Sequence, residues 1–556
     1  MRTELENRRL ADLLFPKLPY TVEEIEKRYP KRTLAKGQVV SRYAPSPTGY
    51  MHVGNFFQMF ISYNLTRVTD GIFFLRIEDT DNKREKEDAV RVIYENLAHY
   101  GINFSEYQTL DGKDVGLYGP YVQSKRVDIY KAYAKKLVAE GKAFPCFCKK
   151  TEGKADVLKL REEKFKVDDG KEYDPCRDMS LSEIEKHLAN GEQFAIRLRT
   201  KNDGTQRIKF YDLIKGEIEA NANAKDVILL KNDGIPPYAF AHAIDDTLMG
   251  TTIVVRGEEY ISSTPAHLEI FDALGFPHIT YCHNPLICKI GDEGNRRKIS
   301  KRFDPEADMR YYADHGYPVN SLLEYLLNLL NSRFEGWRNQ NPTVDWKEFK
   351  FGIKDITAVA PILDLVKLTD VSKNVISRMT ATEVYNETLE WAQEHDVEFA
   401  NILDNDPEYS KAVLNIDREK PRPRKDIGKW EDVKDLYFYM FNELYWHSVR
   451  EMDFPETVSK EDIKSVVMDY ATNMKKFESN EEWFNFLKEV ATRCGFASDM
   501  KAYKVNPAEY KGSIADVSAI IRVCITTRRN SPDLFEIIKL LGEDEIKKRL
   551  VAVIKG

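Results

Sequence analysis

The clearest pattern of apolar and polar positions lies near the start of the chain. Apolar Val39 and Val40 lead into a segment bent by prolines and a glycine, and Asn55 then opens a stretch with apolar residues at helical spacing that ends at Gly71. The apolar residues 72–77 follow as a second strand. This order predicts a strand–loop–helix–strand unit whose strands are parallel and joined by a right-handed crossover.

The loop of this unit brings a hydroxyl, a glycine and a histidine to the start of a helix. Unpaired backbone N–H groups and the helix dipole make such a position favourable for phosphate. The loop is neither a Walker loop nor a dinucleotide fingerprint, because it lacks both the Gly-Lys-Ser/Thr and the GxGxxG pattern.

The residues of the loop carry a resemblance to a known family. Residues 41–55, which end in His-Val-Gly-Asn at 52–55, resemble the first signature of the class I aminoacyl-tRNA synthetases. Together with Leu-Arg-Ile-Glu-Asp-Thr-Asp at 75–81, they are similar to glutamyl-tRNA synthetases of the bacterial type. Residues 298–302, Lys-Ile-Ser-Lys-Arg, resemble the second signature and follow a glycine-rich segment that we expect to be mobile. An isolated histidine or basic run is more often structural, and the combined signatures outweigh that interpretation.

The resemblance implies a glutamate–tRNA ligase that uses ATP with Mg²⁺, L-glutamate and tRNA(Glu). Its implied catalytic residues are His52, Lys298 and Lys301. The implied glutamate contacts are Arg42, Ala44, Ser46, Glu78, Tyr238, His242 and Arg256. The implied ATP contacts are Ser46, Thr48, His52, Gly54, Asn55, Glu259, Lys298, Ser300 and Lys301.

The chemistry of glutamate agrees with these residue types. An ammonium group needs a carboxylate, which Glu78 offers, and adenylate formation needs donors near the α-phosphate, a task that suits His52. A side-chain carboxylate is matched by a planar guanidinium, and by resemblance Arg256 recognises it. His242 stands where the family commonly has asparagine, and we retain it as a pocket residue.

Three cysteines form a candidate zinc site. Some glutamyl enzymes place zinc in the insertion of the catalytic domain, and Cys146, Cys148 and Cys176 match three ligands of that site. Tyr173 and Asp178 are the alternatives for the fourth ligand. Structural zinc and three inert cysteines are about equally favoured by the sequence. The other four of the seven cysteines are expected to be small buried hydrophobic residues, with no disulfide framework.

The expected fold class is α/β. It combines a doubly wound, parallel-sheet, Rossmann-like class I synthetase catalytic domain and its α+β insertion with all-α C-terminal domains. The expected domains are an N-terminal extension (1–37), the first half of the nucleotide-binding fold (38–118), an acceptor-end-binding insertion (119–225), the second half of the fold (226–305), a helical stem-contact domain (306–385) and a helical anticodon-binding domain (386–556).

Several local expectations accompany these domains. Residues 227–230 and 252–255 are predicted as buried strands of the second half of the nucleotide-binding fold. Ser124 is predicted to cap a helix with a buried face, and Asp79 and Asp81 to cap a helix from residue 85 or form a turn. Asp245 and Asp246 are expected to be structural.

Composition restricts the class of protein further. The chain has 556 residues, of which 42% are hydrophobic and 31% charged, and no apolar run approaches the ~20 residues of a membrane span. We therefore expect a cytoplasmic protein with no membrane partner. A monomer is the expected oligomeric state. Its 83 basic and 90 acidic residues give a net charge of −7, which argues against indiscriminate polyanion binding but leaves local tRNA contacts open.

Several alternatives remain at this stage. A non-discriminating enzyme would also charge tRNA(Gln), and the sequence is compatible with it. A glutaminyl-tRNA synthetase is disfavoured because its anticodon region is a β-barrel, whereas residues 356–556 have helical periodicity. A truncated paralogue that glutamylates a tRNA base would lack that region. A non-catalytic tRNA-binding protein would not need His52, Lys298 and Lys301, and a small-molecule nucleotidyltransferase would not need the helical tail.

Overall fold

The fold is described from a computed structural model of the chain that covers residues 2–47, 49–80, 88–148, 176–291, 293–447 and 451–555. It divides into two compact units, Met1–Tyr311 with Leu326–Leu363, and Tyr312–Tyr325 with Asp364–Gly556. Within the residues covered, no helix has both the length and the apolar character needed to span a bilayer.

The predicted strand–loop–helix–strand unit is present in the first unit. It consists of β1 (Val40–Tyr43), α3 (Val53–Val68) and β2 (Ile72–Leu75), and the two strands pair in parallel. Helix α3 begins earlier than predicted, because His52 rather than Asn55 precedes its first turn as the N-cap. A Cβ at Gly71 would lie 2.1 Å from the carbonyl oxygen of Val39, so only glycine fits where the chain turns into β2.

The strands that follow later in the chain lie beside β1. Strands β10 (Ile253–Gly257) and β11 (Thr280–Asn284) pair in parallel, and the backbone N–H of Thr252 donates to the carbonyl of Val40 at 2.9 Å. The two halves predicted from the sequence therefore lie side by side in one arrangement of two parallel strand pairs, β1 with β2 and β10 with β11. Its carboxyl edge is where α/β folds bind their ligands.

The prediction that residues 227–230 belong to this parallel arrangement is wrong. Strand β9 (Ile228–Leu230) pairs antiparallel with β6 (Ala195–Leu198), which pairs antiparallel with β5 (Ala143–Cys146). The sequence pattern of a short apolar strand is the same in a parallel and in an antiparallel sheet, so the pairing depends on which strands lie beside it. Conversely, the hairpin of β7 (Arg207–Asp212) and β8 (Gly216–Asn221) joins β11.

The predicted helix cap at Ser124 is also wrong, whereas Asp79 takes part in a turn, which was its alternative to capping a helix. Helix α5 (Val127–Ala139) follows a 3₁₀ turn over Gln123–Arg126, so Ser124 lies before it. The hydroxyl and the backbone N–H of Ser124 both donate to Asp79, so Asp79 holds this turn instead of capping a later helix. Helix α4 (Ala89–His99) follows Asp88, and Asp81 and the helix start expected at 85 lie outside the described residues.

The apolar face predicted for α5 is confirmed and receives the N-terminal segment. Helices α1 (Glu4–Leu14) and α2 (Val22–Arg28) each begin with a capping box and pack on α5. Leu10 and Leu14 are buried in the same core as the α5 face, whereas Leu13 is exposed. The buried residues of α5 are Tyr130, Tyr133, Ala134, Leu137 and Val138.

The other described elements up to residue 340 are hairpins and helices. The glycine-rich segment before Lys298 forms an antiparallel hairpin of β12 (Cys288–Ile290) and β13 (Arg296–Lys298). A small hairpin is formed by β3 (Tyr107–Gln108) and β4 (Asp114–Val115). The further helices are α6 (Leu181–Ala189), α7 (Tyr238–Leu248), α8 (Thr264–Leu274), α9 (Arg310–Asp314), α10 (Val319–Leu330) and α11 (Phe334–Gln340).

The second unit is helical over the described part of residues 364–555, as predicted. Trp430 and Trp483 lie in its core, and Trp446 is partly exposed. Its helices after residue 364 are Leu365–Ile376, Ala381–His395, Val397–Asn405, Pro407–Asn415, Glu431–Tyr437, Asn442–His447, Lys460–Asn473, Asn480–Arg493, Met500–Val505, Ile514–Thr526 and Leu534–Lys555, the last kinked at Gly542.

Candidate active site

His52 is fixed at the junction of the first loop and α3. Its Nδ1 accepts a hydrogen bond from the backbone N–H of Gly54 at 2.9 Å, so the neutral ring carries its proton on Nε2. Burial, together with the charges of Lys301 and Lys298, lowers the pKa of His52 to about 4. His52 is therefore a neutral hydrogen-bond donor at pH 7.

The lysine-bearing loop lies against this histidine. Lys298, His52, Gly54, Asn55 and Glu259 line one cavity of about 250 Å³. The cavity thus joins the two signature segments, although they are far apart in the sequence.

Two residues of the lysine-bearing loop have other contacts. The ammonium group of Lys301 contacts the backbone carbonyl of Tyr50, in the histidine loop. The backbone N–H of Ser300 donates to Asp304 at 2.9 Å. Neither residue is among those that line the smaller cavity. Thr48, the other predicted ATP contact of the first loop, lies outside the described residues.

A larger cavity of about 850 Å³ adjoins the smaller one. Asn55, Gln58 and Glu259 line both cavities. The structure therefore brings nearly all of the predicted glutamate contacts next to the His52 loop. Those that line the larger cavity are Arg42, Ala44, Ser46, Glu78, Tyr238 and Arg256.

His242 is the exception, and its assignment as a pocket residue needs correction. Its ring stacks on Tyr238 at 5.2 Å with an interplanar angle of 10°. Its nitrogens are at 2.5 Å from Asp246 and 3.0 Å from the hydroxyl of Tyr281. His242 follows Tyr238 by one turn of α7, which places it behind the tyrosine and away from the cavity lining.

Buried ion pairs support one wall of the larger cavity. Asp246 is 3.1 Å from Nε of Arg42 and 2.8 Å from Nη1 of Arg76, and Nη2 of Arg76 donates to Glu78 at 2.9 Å. Burial would raise the pKa of Asp246, but Arg42 and Arg76 outweigh it and hold that pKa well below its usual value. The sequence missed Arg76, whose place beside the pocket depends on the pairing of β1 and β2.

Asp245 belongs to the same buried group, which agrees with a structural role for the aspartate pair. It accepts from Nε of Arg126 at 2.7 Å, from Tyr130 at 2.8 Å and from Gln123 at 3.0 Å. Arg126 in turn donates to the hydroxyl of Tyr29 at 3.1 Å. The N-terminal segment is thus connected to the pocket wall by polar contacts.

The second arginine of the cavity is held differently. The guanidinium of Arg256 donates from Nε to Nε2 of His283 at 3.0 Å and from Nη2 to the hydroxyl of Thr264 at 2.8 Å. Its Nη1 lies 3.0 Å from Nδ1 of His267. The rings of Tyr281 and Tyr260 lie 4.1 and 5.2 Å from its guanidinium carbon. Sequence reasoning missed both histidines, although residue 283 lies directly opposite Arg256 in the parallel register.

The candidate zinc ligands lie close together. The sulfur atoms of Cys146, Cys148 and Cys176 are all within 4.8 Å of one another, and those of Cys148 and Cys176 are 3.7 Å apart. Asp178 is engaged by Arg199 at 2.9 Å. Tyr173, the other candidate for the fourth ligand, lies outside the described residues. Of the other cysteines, 282, 494 and 524 are buried as expected and 288 is half-buried.

Comparison with known proteins agrees with this geometry. Residues 38–340 match the family model of the class I tRNA synthetase catalytic domain for E and Q, and residues 501–554 match an anticodon binding domain. The chain is 43% identical to a glutamate–tRNA ligase of Clostridium beijerinckii over 97% of this chain and 98% of that protein. It is 40% identical to a glutamate–tRNA ligase of Sorangium cellulosum over 95% and 97% of the two chains.

A solved structure has a similar fold. The crystal structure of a glutamate tRNA ligase from Elizabethkingia meningosepticum in complex with its amino acid superposes with a TM-score of 0.73. The two sequences are 22% identical, and the superposition covers 93% of this chain and 99% of the other. The predicted fold class is thereby confirmed.

Proposed function

The chain belongs to the glutamate–tRNA ligases of the class I aminoacyl-tRNA synthetase family, and on that premise we propose that it activates L-glutamate with ATP and transfers it to the 3′ end of tRNA(Glu). The products are glutamyl-tRNA, AMP and diphosphate. The observation that carries this proposal is the junction of the two cavities. His52 and Lys298 line one of them, Arg42 and Arg256 the other, and they meet at Asn55 and Glu259.

The larger cavity suits an acidic amino acid. Arg256 has further N–H groups besides those that donate to its protein neighbours, and a planar guanidinium binds a carboxylate with two parallel hydrogen bonds. We assign the γ-carboxylate of glutamate to Arg256, with Arg42 and Tyr238 beside it, and the ammonium group to Glu78. This assignment favours glutamate over glutamine, because an amide gains less from a cation.

The smaller cavity suits the phosphates of ATP. The α-carboxylate of glutamate attacks the α-phosphorus, a P–O bond forms, and the bond to the pyrophosphate breaks. The nucleophile is already an anion, so this step needs no protein base. His52, as a neutral donor, and Lys298 stabilise the charge on the phosphates, and positioning supplies the rest of the catalysis.

Lys301 completes the charge stabilisation in this scheme. It lies at the histidine loop through its contact with the carbonyl of Tyr50. We propose that it exchanges this contact for the leaving pyrophosphate when ATP binds, with Mg²⁺ carried by the nucleotide. In the second step, a hydroxyl of the terminal ribose of tRNA attacks the acyl carbon, and AMP leaves.

The three cysteines fit a structural zinc ion. Two thiolates bound to one tetrahedral zinc at about 2.3 Å lie about 3.8 Å apart, and the sulfurs of Cys148 and Cys176 are separated by 3.7 Å. Zinc bound here would fasten the loop after β5 to the segment that begins at Cys176. The test is the metal content of purified protein, with Cys148→Ser expected to lose zinc and Cys288→Ser to retain it. Metal-free wild-type protein would contradict zinc binding.

The partners and domain roles follow from the same function. We propose that the helical second unit binds the anticodon and that the insertion holds the acceptor end of the tRNA. We also propose that the enzyme acts as a monomer and charges its tRNA in the cytoplasm. The match of residues 501–554 to an anticodon binding domain supports the first of these roles. Charging of tRNA(Gln) as well is the second candidate function.

The decisive experiment is ATP–pyrophosphate exchange with glutamate or glutamine, each with and without tRNA(Glu). We expect exchange with glutamate and tRNA, and none with glutamine. Exchange with glutamine alone, or with neither amino acid, would overturn the proposal. Acylation of purified tRNA(Gln) with labelled glutamate separates the discriminating enzyme from the non-discriminating one.

A further inference from the structure

The hydrogen-bond acceptors around Arg256 are all uncharged. They are the imidazole nitrogens of His283 and His267 and the hydroxyl of Thr264, at 2.8 to 3.0 Å. Arg256 itself is only 2% exposed. Among the residues that the structure describes, none places a carboxylate within 4.0 Å of the Arg256 guanidinium.

The other arginines of the pocket wall contrast with Arg256. Arg42 and Arg76 both contact Asp246, and Arg76 also contacts Glu78. When an arginine is paired with a protein carboxylate, much of the arginine's charge is neutralised. The protein carboxylate also competes with a substrate carboxylate for the N–H groups of that arginine. The charge of Arg256 is oriented by neighbours that do not neutralise it, so it stays available for a substrate anion.

The hydrogen bonds of His283 require one particular tautomer. Its Nδ1 lies 2.8 Å from Oδ2 of Asp212, and that carboxylate oxygen also accepts the backbone N–H of His283 at 2.9 Å. A carboxylate only accepts, so Nδ1 carries the proton and Nε2 has the lone pair that receives the N–H of Arg256. Burial lowers the pKa of His283, which keeps its ring neutral.

The orientation of Asp212 is fixed as well. Its Oδ1 accepts the backbone N–H groups of Ile214 and Lys215 at 2.9 and 2.8 Å, in the turn between β7 and β8. Burial would raise the pKa of Asp212, but the hydrogen bonds from His283 and the backbone outweigh it and lower that pKa. Hydrogen bonds therefore connect the turn between β7 and β8 to the cavity, through the carboxylate of Asp212, the imidazole of His283 and the guanidinium of Arg256.

His267 supports the guanidinium at another nitrogen, Nη1. It lies on α8, whose first residue is Thr264, the third acceptor of Arg256. Arginine can only donate, so Nδ1 of His267 is the acceptor of this contact. Burial and the charge of Arg256 lower the pKa of His267 far below its usual value, which keeps its ring neutral. Neighbours from two elements, His283 on β11 and His267 with Thr264 on α8, thus fix the guanidinium plane, and Asp212 of β7 holds His283.

We propose that His267 and His283, with Asp212 behind His283, are positioning residues that orient Arg256 without neutralising it and thereby set the preference for glutamate over glutamine. This inference rests on the proposed function. A guanidinium that rotates freely would present its N–H groups to a carboxylate or an amide oxygen less selectively. Hydrogen bonds to charged groups are strong enough that loss of this orientation should be measurable as a change in KM.

The test compares variants of the full chain in tRNA-dependent ATP–pyrophosphate exchange. His283→Ala and His267→Ala are each expected to raise the KM for glutamate roughly tenfold or more, with the KM for ATP changed less than about twofold. Glutamine is then measured as an inhibitor of this exchange, and the ratio of its inhibition constant to the KM for glutamate should fall as well. Thermal unfolding of each variant identifies any loss of folded protein.

Conservative variants provide a rescue that a purely structural role would not. The side-chain oxygen of glutamine can replace Nε2 of His283, and that of asparagine can replace Nδ1 of His267. His283→Gln and His267→Asn are therefore expected to recover most of the glutamate affinity. His278→Ala is the control, because His278 is an exposed histidine paired with Asp272 and should leave every parameter unchanged.

Asp212→Asn tests the tautomer directly. Because the two backbone N–H groups keep an oxygen at the Oδ1 position, the new amide nitrogen would face Nδ1 of His283 and move the ring proton to Nε2. This variant should resemble His283→Ala in its KM for glutamate. Unchanged KM values for glutamate in His283→Ala, His267→Ala and Asp212→Asn would overturn the inference. Equal rises in the KM for glutamate and for ATP in these variants would overturn it as well. A wild-type protein without glutamate-dependent exchange would refute the proposed function itself.

Discussion

The carboxylate of Asp246 lies between two buried arginines, with its Oδ1 at 3.1 Å from Nε of Arg42 and 2.8 Å from Nη1 of Arg76. Its Oδ2 is 2.5 Å from Nδ1 of His242. Asp246 therefore compensates the charge of an arginine on β1 and of another directly after β2. The wall of the larger cavity depends on this one carboxylate.

We expect Asp246→Asn to destabilise the protein and to weaken glutamate binding. Removing one partner of a buried ion pair leaves uncompensated charge and costs about 3–5 kcal/mol. The measurement is the free energy of urea unfolding together with the KM for glutamate. Asp272→Asn, at an exposed pair with His278, is the matched control and should change the unfolding free energy by less than about 0.5 kcal/mol. Equal stability of the two variants would contradict the role given to Asp246.

Lys301 allows the chemical step to be separated from amino-acid binding. It contacts the carbonyl of Tyr50 and lies outside the lining of the larger cavity. We expect Lys301→Ala to slow adenylate formation roughly a hundredfold, because it removes a charge from the transition state, and to leave glutamate affinity unchanged. Single-turnover adenylate formation and calorimetric glutamate titration are the two measurements.

Arg302→Ala is the control for that prediction. Arg302 is the exposed neighbour of Lys301, and its guanidinium lies over the ring of Phe303 at 5.4 Å. Loss of this charge should affect adenylate formation by less than about threefold, since a rim charge acts mainly on association. If Lys301→Ala reduced binding and chemistry to the same extent, the lysine would have a role in folding.

The parts of the site that were predicted from the sequence are those whose residues lie close together in the chain. The loop that ends at His52 and the hairpin that ends at Lys298 are each continuous in the chain, and each keeps its chemistry in a short run of residues. The strand–loop–helix–strand unit was predicted for the same reason. Its parallel register pairs the buried strand β1 with β2, next to the close approach at Gly71.

The parts that were not predicted depend on pairing between distant segments. His242 has the spacing of a pocket residue, but Tyr238 covers it. The antiparallel pairing of β9 and the role of Asp79 at Ser124 both depend on residues more than 30 positions away. His283 becomes a neighbour of Arg256 only through the parallel register of β10 and β11, which apolar periodicity does not specify.

The N-terminal segment gives a third prediction. The hydroxyl of Tyr29 donates to the carbonyl of Gly119 at 2.8 Å and accepts from Arg126 at 3.1 Å. Tyr29→Phe leaves both groups without this partner, and we expect a loss of about 1–3 kcal/mol in the free energy of unfolding. Tyr20→Phe, at an exposed tyrosine of the same segment, should be neutral. A neutral Tyr29→Phe would show that the segment packs without this polar link.

His242 gives a prediction about pH. Burial lowers the pKa of His242 from 6.5 to about 4, with Asp246 opposing the shift. In the unfolded chain His242 therefore binds a proton below pH 6.5, whereas in the folded chain it binds one only near pH 4. The free energy of unfolding consequently falls as the pH falls through this interval. The shift corresponds to about 3 kcal/mol of unfolding free energy for this one group. Asparagine does not titrate, so His242→Asn should unfold in urea with a smaller loss of free energy between pH 6.5 and 4 than wild type.

The other titrating groups of the fold are common to both proteins, so the difference between the two pH profiles isolates residue 242. His278→Asn is the control, because an exposed histidine should leave the wild-type slope intact. Asparagine is also the residue that the family commonly has at this position, so the variant is expected to fold and to keep the ring of Tyr238 in place over the amide. Parallel profiles of unfolding free energy for wild type and His242→Asn between pH 4 and 6.5 would show that His242 takes up its proton without a cost to the fold, and the burial argument would then be wrong.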